Sequence, residues 1–273
     1  MKFSLLMCVY IEDKFEFFKQ AFESTYLFQK LKPSEVVIVF DGPVKSVIKN
    51  YINSFNDKNI KVVKLVDNKG LGCALRIGVN ECSNEIIARM DSDDISHIDR
   101  FKIQIPYFIN NKLDVCGTSM EEFINNSDPY GSIVSLKKMP KSHSKCLSLT
   151  KISSPVNHPT VVFRKSKVLN AGNYNNSFFK EDIDLWIRMI SQGARFGNIT
   201  TPLLLFRYTN TLKKRKGLKY MLNELIIIKK KYDNSIINSL EFILISFCSI
   251  IIRMQPEFVL RKIYSIYRKR FNN

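Results

Sequence analysis

The feature that most constrains this chain is the order of apolar runs in its first ninety residues. Amphipathic stretches alternate there with short apolar runs, which lie at 3–10, 35–40, 60–66 and 85–90. The first stretch places Phe15, Phe18 and Phe22 at helical spacing. Strands that alternate with helices form a parallel sheet, in which each helix is the crossover between two strands. We therefore expect an α/β fold that begins with a doubly wound, Rossmann-like half.

The pattern changes beyond residue 90. The segment 113–136 is more broken, and further strands are expected at 158–163 and near 202–208, with a helix that starts near Glu181. Downstream of Thr211 the periodicity is helical. We expect a compact domain over residues 1–211 and a basic, amphipathic helical extension over residues 212–273.

Polar residues follow each strand of the first half. These positions hold Tyr10, then Asp41-Gly42, then Asp67-Asn68-Lys69-Gly70, and then Asp91-Ser92-Asp93-Asp94. Open α/β sheets bind ligands beyond the carboxyl ends of their strands, so the site is expected at this edge.

The acidic run after the fourth strand admits two interpretations. Carboxylates that alternate at a strand end can point at one hard cation, and oxygen-only ligands favour Mg²⁺ or Mn²⁺. Alternatively, the run is an acidic turn that caps a helix beginning near His97. An EF-hand loop does not fit, because Ser96 stands where glycine is needed and Lys102 where glutamate is needed.

Two other enzyme classes use similar local patterns. Gly70-Leu71-Gly72 resembles a dinucleotide fingerprint, but Leu75 replaces its third glycine and the segment follows the third strand. In a phosphotransferase of the haloacid dehalogenase type, Asp91 would be the nucleophile and Asp93 the general acid. That motif normally follows the first strand of its domain.

Six motifs, in order, resemble the family 2 nucleotide-sugar glycosyltransferases of GT-A fold. The resemblance covers about residues 3–208. Its motifs are the strand Ser4 to Tyr10, Val39-Phe40-Asp41-Gly42, Asn68-Lys69-Gly70-Leu71-Gly72, Met90-Asp91-Ser92-Asp93-Asp94, Asn157-His158-Pro159-Thr160 and Glu181-Asp182-Ile183-Asp184-Leu185-Trp186.

The resemblance implies a donor-nucleotide site built from Tyr10, Asp41, Asn68, Asp91 and Asp93. Tyr10 would pack on the base or ribose, and Asp41 would accept the uracil imide hydrogen. Asp93 would bind Mn²⁺ or Mg²⁺, with Asp91 near the ribose and the metal. Taken singly, Tyr10 also fits a half-buried core tyrosine, and Asp41 fits the first residue of a turn with Gly42.

On the acceptor side, the resemblance implies Asp182 as the catalytic base of an inverting displacement, with Asp184 as its rival. Glu181 and His158 would border the acceptor. The alternatives are acidic residues that favour a helix N-terminus, and a histidine that is only structural.

The implied activity is transfer of a sugar from a nucleotide diphosphate, expected to be a UDP-sugar, to a lipid-linked saccharide in cell-surface polysaccharide synthesis. The Gln-x-x-Arg-Trp motif of processive members is missing, which favours one transfer per encounter. The family often carries an Arg-Asn pair where this chain has Leu75 and Arg76, so that phosphate contact is not assigned.

The positive charge of the chain is concentrated in its tail. Residues 213–273 hold 14 Lys or Arg against 4 Asp or Glu, which is +10 of a formal net charge of +17. The apolar segment 236–252 is interrupted by polar residues and falls short of the roughly 20 residues that span a bilayer. Basic residues flank it, namely Lys229, Lys230, Lys231, Arg253, Arg261, Lys262, Arg268, Lys269 and Arg270.

These features predict peripheral attachment to an anionic membrane, at its cytoplasmic inner face. The alternative is a helix packed on the domain, with solvated lysines. A non-enzymatic membrane-surface or nucleic-acid-binding protein is the third possibility, although no stacking motif or recognition helix supports a nucleic-acid partner. The six cysteines show no disulfide or zinc spacing, so a reducing compartment is expected.

Overall fold

A computed structural model of the chain describes residues 1–175, 180–208, 217–255 and 259. Within these ranges the strands form one mixed sheet in the order β3-β2-β1-β4-β8-β6-β9-β5, and β7 pairs with β6. The strands are β1 (Ser4–Val9), β2 (Glu35–Phe40), β3 (Ile60–Lys64), β4 (Ile86–Met90), β5 (Ile95–Ser96), β6 (Val115–Phe123), β7 (Ile133–Lys137), β8 (Val162–Arg164) and β9 (Phe196–Arg207).

The first four strands are parallel, as the apolar runs predict. The crossovers are α1 (Phe15–Phe22), α2 (Ser46–Asn53) and α3 (Leu71–Glu81), with a π-helical turn at Glu23–Leu27 after α1. β-branched residues dominate β2, because their stiff side chains pack well on a pleated surface that is buried on both faces. Two apolar clusters, one centred on Phe18 and Phe22 and the other on Trp186 and Phe163, form the core.

The second half of the sheet is mixed. β8 runs antiparallel to β4 and to β6, whereas β9 runs parallel to β6. The helices of this half are α4 (Arg100–Asn110), α5 (His143–Thr150), α6 (Lys165–Asn170) and α7 (Glu181–Ser191). The predicted α/β fold with a doubly wound mixed sheet is confirmed, and α7 begins at Glu181 as expected.

Two strand predictions in this half were imprecise. Residues His158–Thr160 form a 3₁₀ turn, and β8 starts only at Val162. Pro159 explains the difference, because proline has no N–H to donate to a sheet ladder. The last strand starts at Phe196 instead of near 202, since its first residues pair with β6 from Val115 onward.

Two further helices follow, α8 (Leu218–Asp233) and α9 (Ser239–Arg253), which pack together as a helical hairpin. α9 begins with a capping box, in which Asn238 and Glu241 satisfy each other's backbone N–H groups. α8 buries Tyr220, Ile227 and Ile228, whereas α9 buries none of its residues. Within the described ranges, neither of these helices nor any other is long and apolar enough to cross a bilayer.

The predicted boundary between residues 211 and 212, and the basic residues 261–270, lie outside the described ranges. The division into a domain and an extension therefore stays a prediction.

Candidate active site

The carboxyl ends of β1, β2 and β4 meet at one edge of the sheet. Val9 pairs with Phe40 and Met7 with Met90, so the residues that follow these strands are neighbours. The N–H of Asp41 donates to the carbonyl of Val9 at 2.8 Å. The structure thus brings Tyr10, Asp41 and Asp91 to the edge where a ligand of an open α/β sheet binds.

The side chain of Asp41 holds the loop that precedes α3. Its Oδ1 accepts from the N–H of Lys69 at 2.7 Å, and its Oδ2 accepts from the N–H of Gly70 at 2.9 Å. Gly42 has a φ of +81°, and a Cβ there would lie 2.5 Å from the nitrogen of Asn68. The strand end and the loop therefore form one unit, and Gly42 is needed for their close approach.

Asn68 is exposed, and its Oδ1 accepts from the N–H of Gly70 at 3.2 Å, which closes an Asx turn. A local turn with Gly42 does not account for all of the contacts of Asp41, because its carboxylate joins the end of β2 to the loop 68–70. The predicted contacts of Asp41 and Asn68 with the nucleotide stay predictions.

Tyr10 is 42% exposed, so the core-tyrosine alternative is wrong. Its backbone N–H donates to Oδ2 of Asp13 at 3.0 Å. Burial raises the pKa of Asp13, while Tyr10 and the hydroxyl of Ser92 lower it by hydrogen bonding. Asp13 was not singled out in the sequence, because it lies in a polar stretch with no strand directly before it. It joins the loop after β1 to the acidic loop after β4.

In that acidic loop, Asp91 is engaged by a buried cation. Both terminal nitrogens of Arg89, a residue of β4 that is 2% exposed, bond to the two carboxylate oxygens of Asp91. This geometry is the bidentate pairing that guanidinium and carboxylate groups favour. Arg89 also lies close enough to Asp182 to lower the pKa of that carboxyl. One buried guanidinium therefore acts on both acidic segments of the site.

Asp93 and Asp94 have different surroundings. Among the described residues, the carboxylate of Asp93 has no hydrogen-bonded partner, and burial together with Asp91 and Asp13 raises its pKa to about 6. Asp94 is fully buried, and its Oδ1 accepts from the N–H of Arg207 at 2.9 Å. The helix-capping alternative is wrong, since α4 starts only at Arg100 and its first turn has no side-chain cap.

Arg207, the last residue of β9, holds the acidic loop in place. Its Nε donates to the carbonyl of Asp93 at 2.7 Å, and its guanidinium lies 3.9 Å from the ring centroid of Phe17 and 4.7 Å from that of Phe123. Cation–π contacts of this kind fix a guanidinium plane. Sequence reasoning missed Arg207, because no local pattern connects it with a loop 113 residues away.

The start of α7 lies beside the start of α3. A Cβ added to Gly72 would lie 3.2 Å from the Cβ of Glu181. Burial and the neighbouring Asp182 raise the pKa of Glu181 to about 7. Burial also raises the pKa of Asp182, against the lowering effects of the Ile183 backbone and of Arg89. A carboxylate whose pKa moves toward neutrality is suited to accept a proton.

Asp184 is not available as the rival base. It is fully buried, and its Oδ2 accepts from Nε and Nη2 of Arg188 at 3.1 and 2.9 Å. Its Oδ1 is ion-paired with Lys230 of α8. Both oxygens therefore have structural partners.

His158 is partly buried in the 3₁₀ turn. Its Nε2 lies 3.0 Å from the hydroxyl of Tyr174, and its ring stands edge-on to Trp186 at 6.1 Å. Burial and Arg89 hold its pKa well below the ordinary value, so the imidazole is neutral at pH 7. These contacts favour the structural alternative, and the predicted acceptor-side role of His158 stays a prediction.

A parallel first half, a mixed second half and carboxylates at the strand ends are the features expected of a GT-A fold, and the comparisons with known proteins decide the class. The family model for glycosyl transferase family 2 matches residues 4–172. The chain belongs to this family. The phosphotransferase and non-enzymatic alternatives are therefore wrong.

The chain is similar to proteins that are named as glycosyltransferases. It is 34% identical, over 99% of its own length and 98% of the relative's, to the Escherichia coli UDP-Gal:alpha-D-GlcNAc-diphosphoundecaprenol beta-1,3-galactosyltransferase. Its fold matches that of S. aureus TarS 1-349 in complex with UDP-GlcNAc, with a TM-score of 0.67, 16% identity, and coverage of 90% of this chain and 70% of that one.

A second solved structure is the mannosyltransferase PcManGT from Pyrobaculum calidifontis in complex with GDP-Man and Mn²⁺. Its TM-score is 0.61 at 13% identity, and the match covers 84% of this chain and 63% of that chain.

Proposed function

We propose that this enzyme is a non-processive, inverting glycosyltransferase that transfers a sugar from a UDP-sugar to a lipid-linked saccharide in cell-surface polysaccharide synthesis. The observation that carries the proposal is the convergence of two half-buried acidic segments, 91–93 and 181–182, around the buried Arg89. One segment would receive the donor diphosphate and the other would activate the acceptor hydroxyl.

The donor half is arranged for a nucleotide diphosphate. Tyr10 offers an exposed aromatic face beside Asp41. The loop 68–70, held by Asp41, leads directly into α3, and backbone N–H groups at a helix N-terminus favour phosphate. The relative from E. coli is named for a UDP-sugar, which supports UDP as the nucleotide.

Mn²⁺ or Mg²⁺ fits the acidic loop. Among the residues that the structure describes, the carboxylate oxygens of Asp93 have no hydrogen-bonded partner, and the nearby Asp91 and Asp13 add negative charge beside them. No group of three His, Cys, Asp or Glu residues within the described ranges could hold a metal alone. Diphosphate and water oxygens would therefore complete the coordination, as Mg²⁺ sites commonly require. The bound cation would offset the charge of the leaving diphosphate.

Asp182 is the proposed base. It stands in the first turn of α7, and burial raises its pKa while Arg89 limits that increase. The carboxylate would accept the proton of the acceptor hydroxyl as this attacks the anomeric carbon from the face opposite the diphosphate. A second carboxylic acid is unnecessary, unlike in an inverting glycoside hydrolase, because the diphosphate leaves without protonation. Glu181 and His158 would border the acceptor.

A lipid-linked acceptor agrees with the helical hairpin, which presents an apolar stripe. Residues of α9 at helical spacing are 44–67% exposed, namely Leu240, Ile243, Leu244, Phe247 and Ile251. By sequence, four basic residues at 213–216 precede α8 and five more lie between 261 and 270. We propose that this stripe lies in the inner leaflet, where each basic residue contributes on the order of 1 kcal/mol of attraction to anionic lipid.

Flotation with anionic and neutral liposomes tests this attachment. Binding to anionic vesicles that is lost in Phe247→Asp supports it. Binding that is indifferent to lipid charge contradicts it.

The activity is tested by UDP release from a panel of UDP-sugars with Mn²⁺, repeated with chelator and with Asp93→Asn. We expect chelator and substitution each to reduce turnover and donor affinity by about 100-fold or more. The matched control is Asp233→Asn, which removes only an exposed ion pair with Lys229 on α8. If neither treatment changes turnover or donor binding, the metal and donor assignments are wrong.

A further inference from the structure

The helical hairpin is tied to α7 at two points, one on each side of Asp182. The first tie joins Lys180, directly before α7, to Glu224 of α8. The second joins the buried Asp184 to Lys230 of α8. The hairpin therefore fixes the backbone on both flanks of the proposed base.

Glu224 is the centre of the first tie. Its Oε1 is ion-paired with Lys180, and its Oε2 accepts from Nη2 of Arg253, at the end of α9, at 2.8 Å. The side chains of Glu224 and Arg253 are 15% and 13% exposed. Both cations also lie over the ring of Tyr220, with Lys180 at 5.6 Å and Arg253 at 4.6 Å. A carboxylate that joins two partly buried cations has far less freedom than one in a surface pair.

The backbone at Lys180 needs such a restraint. Its φ of 65° and ψ of 52° are left-handed, a conformation that is unfavourable for an L-residue because its Cβ comes too close to the following carbonyl oxygen. A conformation of this kind persists where the surrounding structure imposes it. The φ and ψ of Lys180 set the direction in which α7 starts, and therefore where the carboxylate of Asp182 points.

We propose that Glu224 is a positioning residue of the transfer reaction, which joins α8 and α9 to Lys180 and so fixes the first turn of α7 with Asp182. The proposal rests on the proposed role of Asp182 as base. Its consequence is that the helical hairpin belongs to the catalytic machinery as well as to the proposed membrane contact.

The experiment compares three variants of the full chain. Glu224→Gln removes the charge at the centre of the tie and keeps its shape. Asp233→Asn removes an exposed pair on the same helix. Lys151→Met removes a contact of the hairpin that does not involve α7, the ion pair of Lys151 with Glu241. The readouts are amide hydrogen exchange over residues 180–188 without substrate, and kcat and donor KM.

For Glu224→Gln we expect exchange over 180–188 to rise about tenfold and kcat to fall about tenfold, with donor KM unchanged. A misplaced base slows the chemical step without weakening donor binding. Asp233→Asn and Lys151→Met should change neither readout. Glu224→Asp, which keeps the charge, should restore most of the protection of residues 180–188 from amide hydrogen exchange. This variant also controls for a general effect of substitution at position 224.

Two results would overturn the proposal. One is a Glu224→Gln variant with wild-type exchange over 180–188. The other is a Lys151→Met variant that matches Glu224→Gln in both readouts, because general docking of the hairpin would then explain the effect. Turnover retained by Asp182→Asn would instead refute the proposed base, and the exchange measurement, which needs no substrate, would still decide whether Glu224 fixes α7.

Discussion

The acidic segments 91–94 and 181–184 are alike in composition but opposite in their ion pairing. Each holds three carboxylates within four positions. In the first, the cation Arg89 pairs with the more exposed Asp91, while the buried Asp94 accepts a backbone hydrogen bond. In the second, the buried Asp184 takes two cations.

The difference shows that the position of a cation determines which carboxylates of an acidic segment are ion-paired and which are not. Where cations reach the buried carboxylate, as at Asp184, the other two acids of the segment have no ion pair among the described residues. Where the cation pairs with the outer carboxylate, as at Asp91, the next outer carboxylate, that of Asp93, has no hydrogen-bonded partner in the described part of the chain. Each segment thus leaves a carboxylate that is not paired with a cation in the described structure, and substitutions at four residues test this difference.

The largest effect is expected from Asp182→Asn. If Asp182 is the base, turnover should fall at least about 10³-fold, because an amide cannot accept the acceptor proton at neutral pH. Donor affinity should stay within about twofold, since the proposed donor site is at the other acidic segment. UDP release and calorimetric donor binding measure the two quantities, with Asp233→Asn as control. A variant that keeps its turnover would place the base elsewhere.

Asp184→Asn should act on stability instead. The substitution removes a fully buried carboxylate and leaves Arg188 and Lys230, which are 24% and 27% exposed, beside a neutral amide, so we expect the free energy of unfolding to fall by about 3 kcal/mol. Urea denaturation at pH 7 measures it. Asp233→Asn, whose pair is exposed, should cost less than about 1 kcal/mol. Equal decreases in the free energy of unfolding of the two variants would mean that the buried ion pairs of Asp184 stabilise the fold no more than an exposed pair does.

The sequence was sufficient for the parallel half and for the ends of its strands. Apolar runs mark buried strands, and the residue after each run is local information, so Tyr10, Asp41 and Asp91 were placed correctly at the carboxyl-end edge of the sheet. The start of α7 at Glu181 was also local, because an acidic first turn before an apolar stripe is typical of a helix N-terminus.

The sequence could not show which basic residues pair with the carboxylates of the two acidic segments. Arg89 reads as one more residue of a buried strand, and only the fold reveals that it pairs with Asp91. Arg207 lies 113 residues from the loop that it holds. Whether Asp184 or Asp182 is accessible depends on Lys230 of a helix 46 positions further on. Long-range pairs of this kind leave no periodic pattern in the chain.

A pH-dependent effect is expected for Glu181→Gln. Burial and Asp182 raise the pKa of Glu181 from 4.5 to about 7, so the folded state disfavours its ionised form. The contribution of Glu181 to stability is fully present below pH 4.5 and is lost as the pH rises through 7. Glutamine does not ionise, so the variant should match the wild type at pH 4 and exceed it by about 2 kcal/mol at pH 8.

Denaturation with urea at the two pH values measures this difference. The same difference at both pH values would show that packing, and not ionisation, distinguishes the variant from the wild type.

The smallest effect is expected at Asp94, although it is as deeply buried as Asp184. One of its oxygens accepts the N–H of Arg207, and the other has no hydrogen-bonded partner among the described residues. Burial, together with Asp91 and Asp93, raises its pKa, so a charge at this position is disfavoured. Asparagine keeps the shape and the acceptor oxygen without the charge. We expect Asp94→Asn to change the free energy of unfolding at pH 7 by less than about 1 kcal/mol.

Asp94→Ala is the companion variant, because it removes the acceptor as well as the charge. The N–H of Arg207 would then be buried without a partner, which costs roughly 1–3 kcal/mol. A small loss of stability in Asp94→Asn with a larger loss in Asp94→Ala would show that Asp94 acts by accepting a hydrogen bond from the backbone of β9. Asp184, in contrast, acts by pairing with two side-chain cations. If asparagine costs as much as alanine, charge matters at both buried carboxylates, and the contrast between the two segments is wrong.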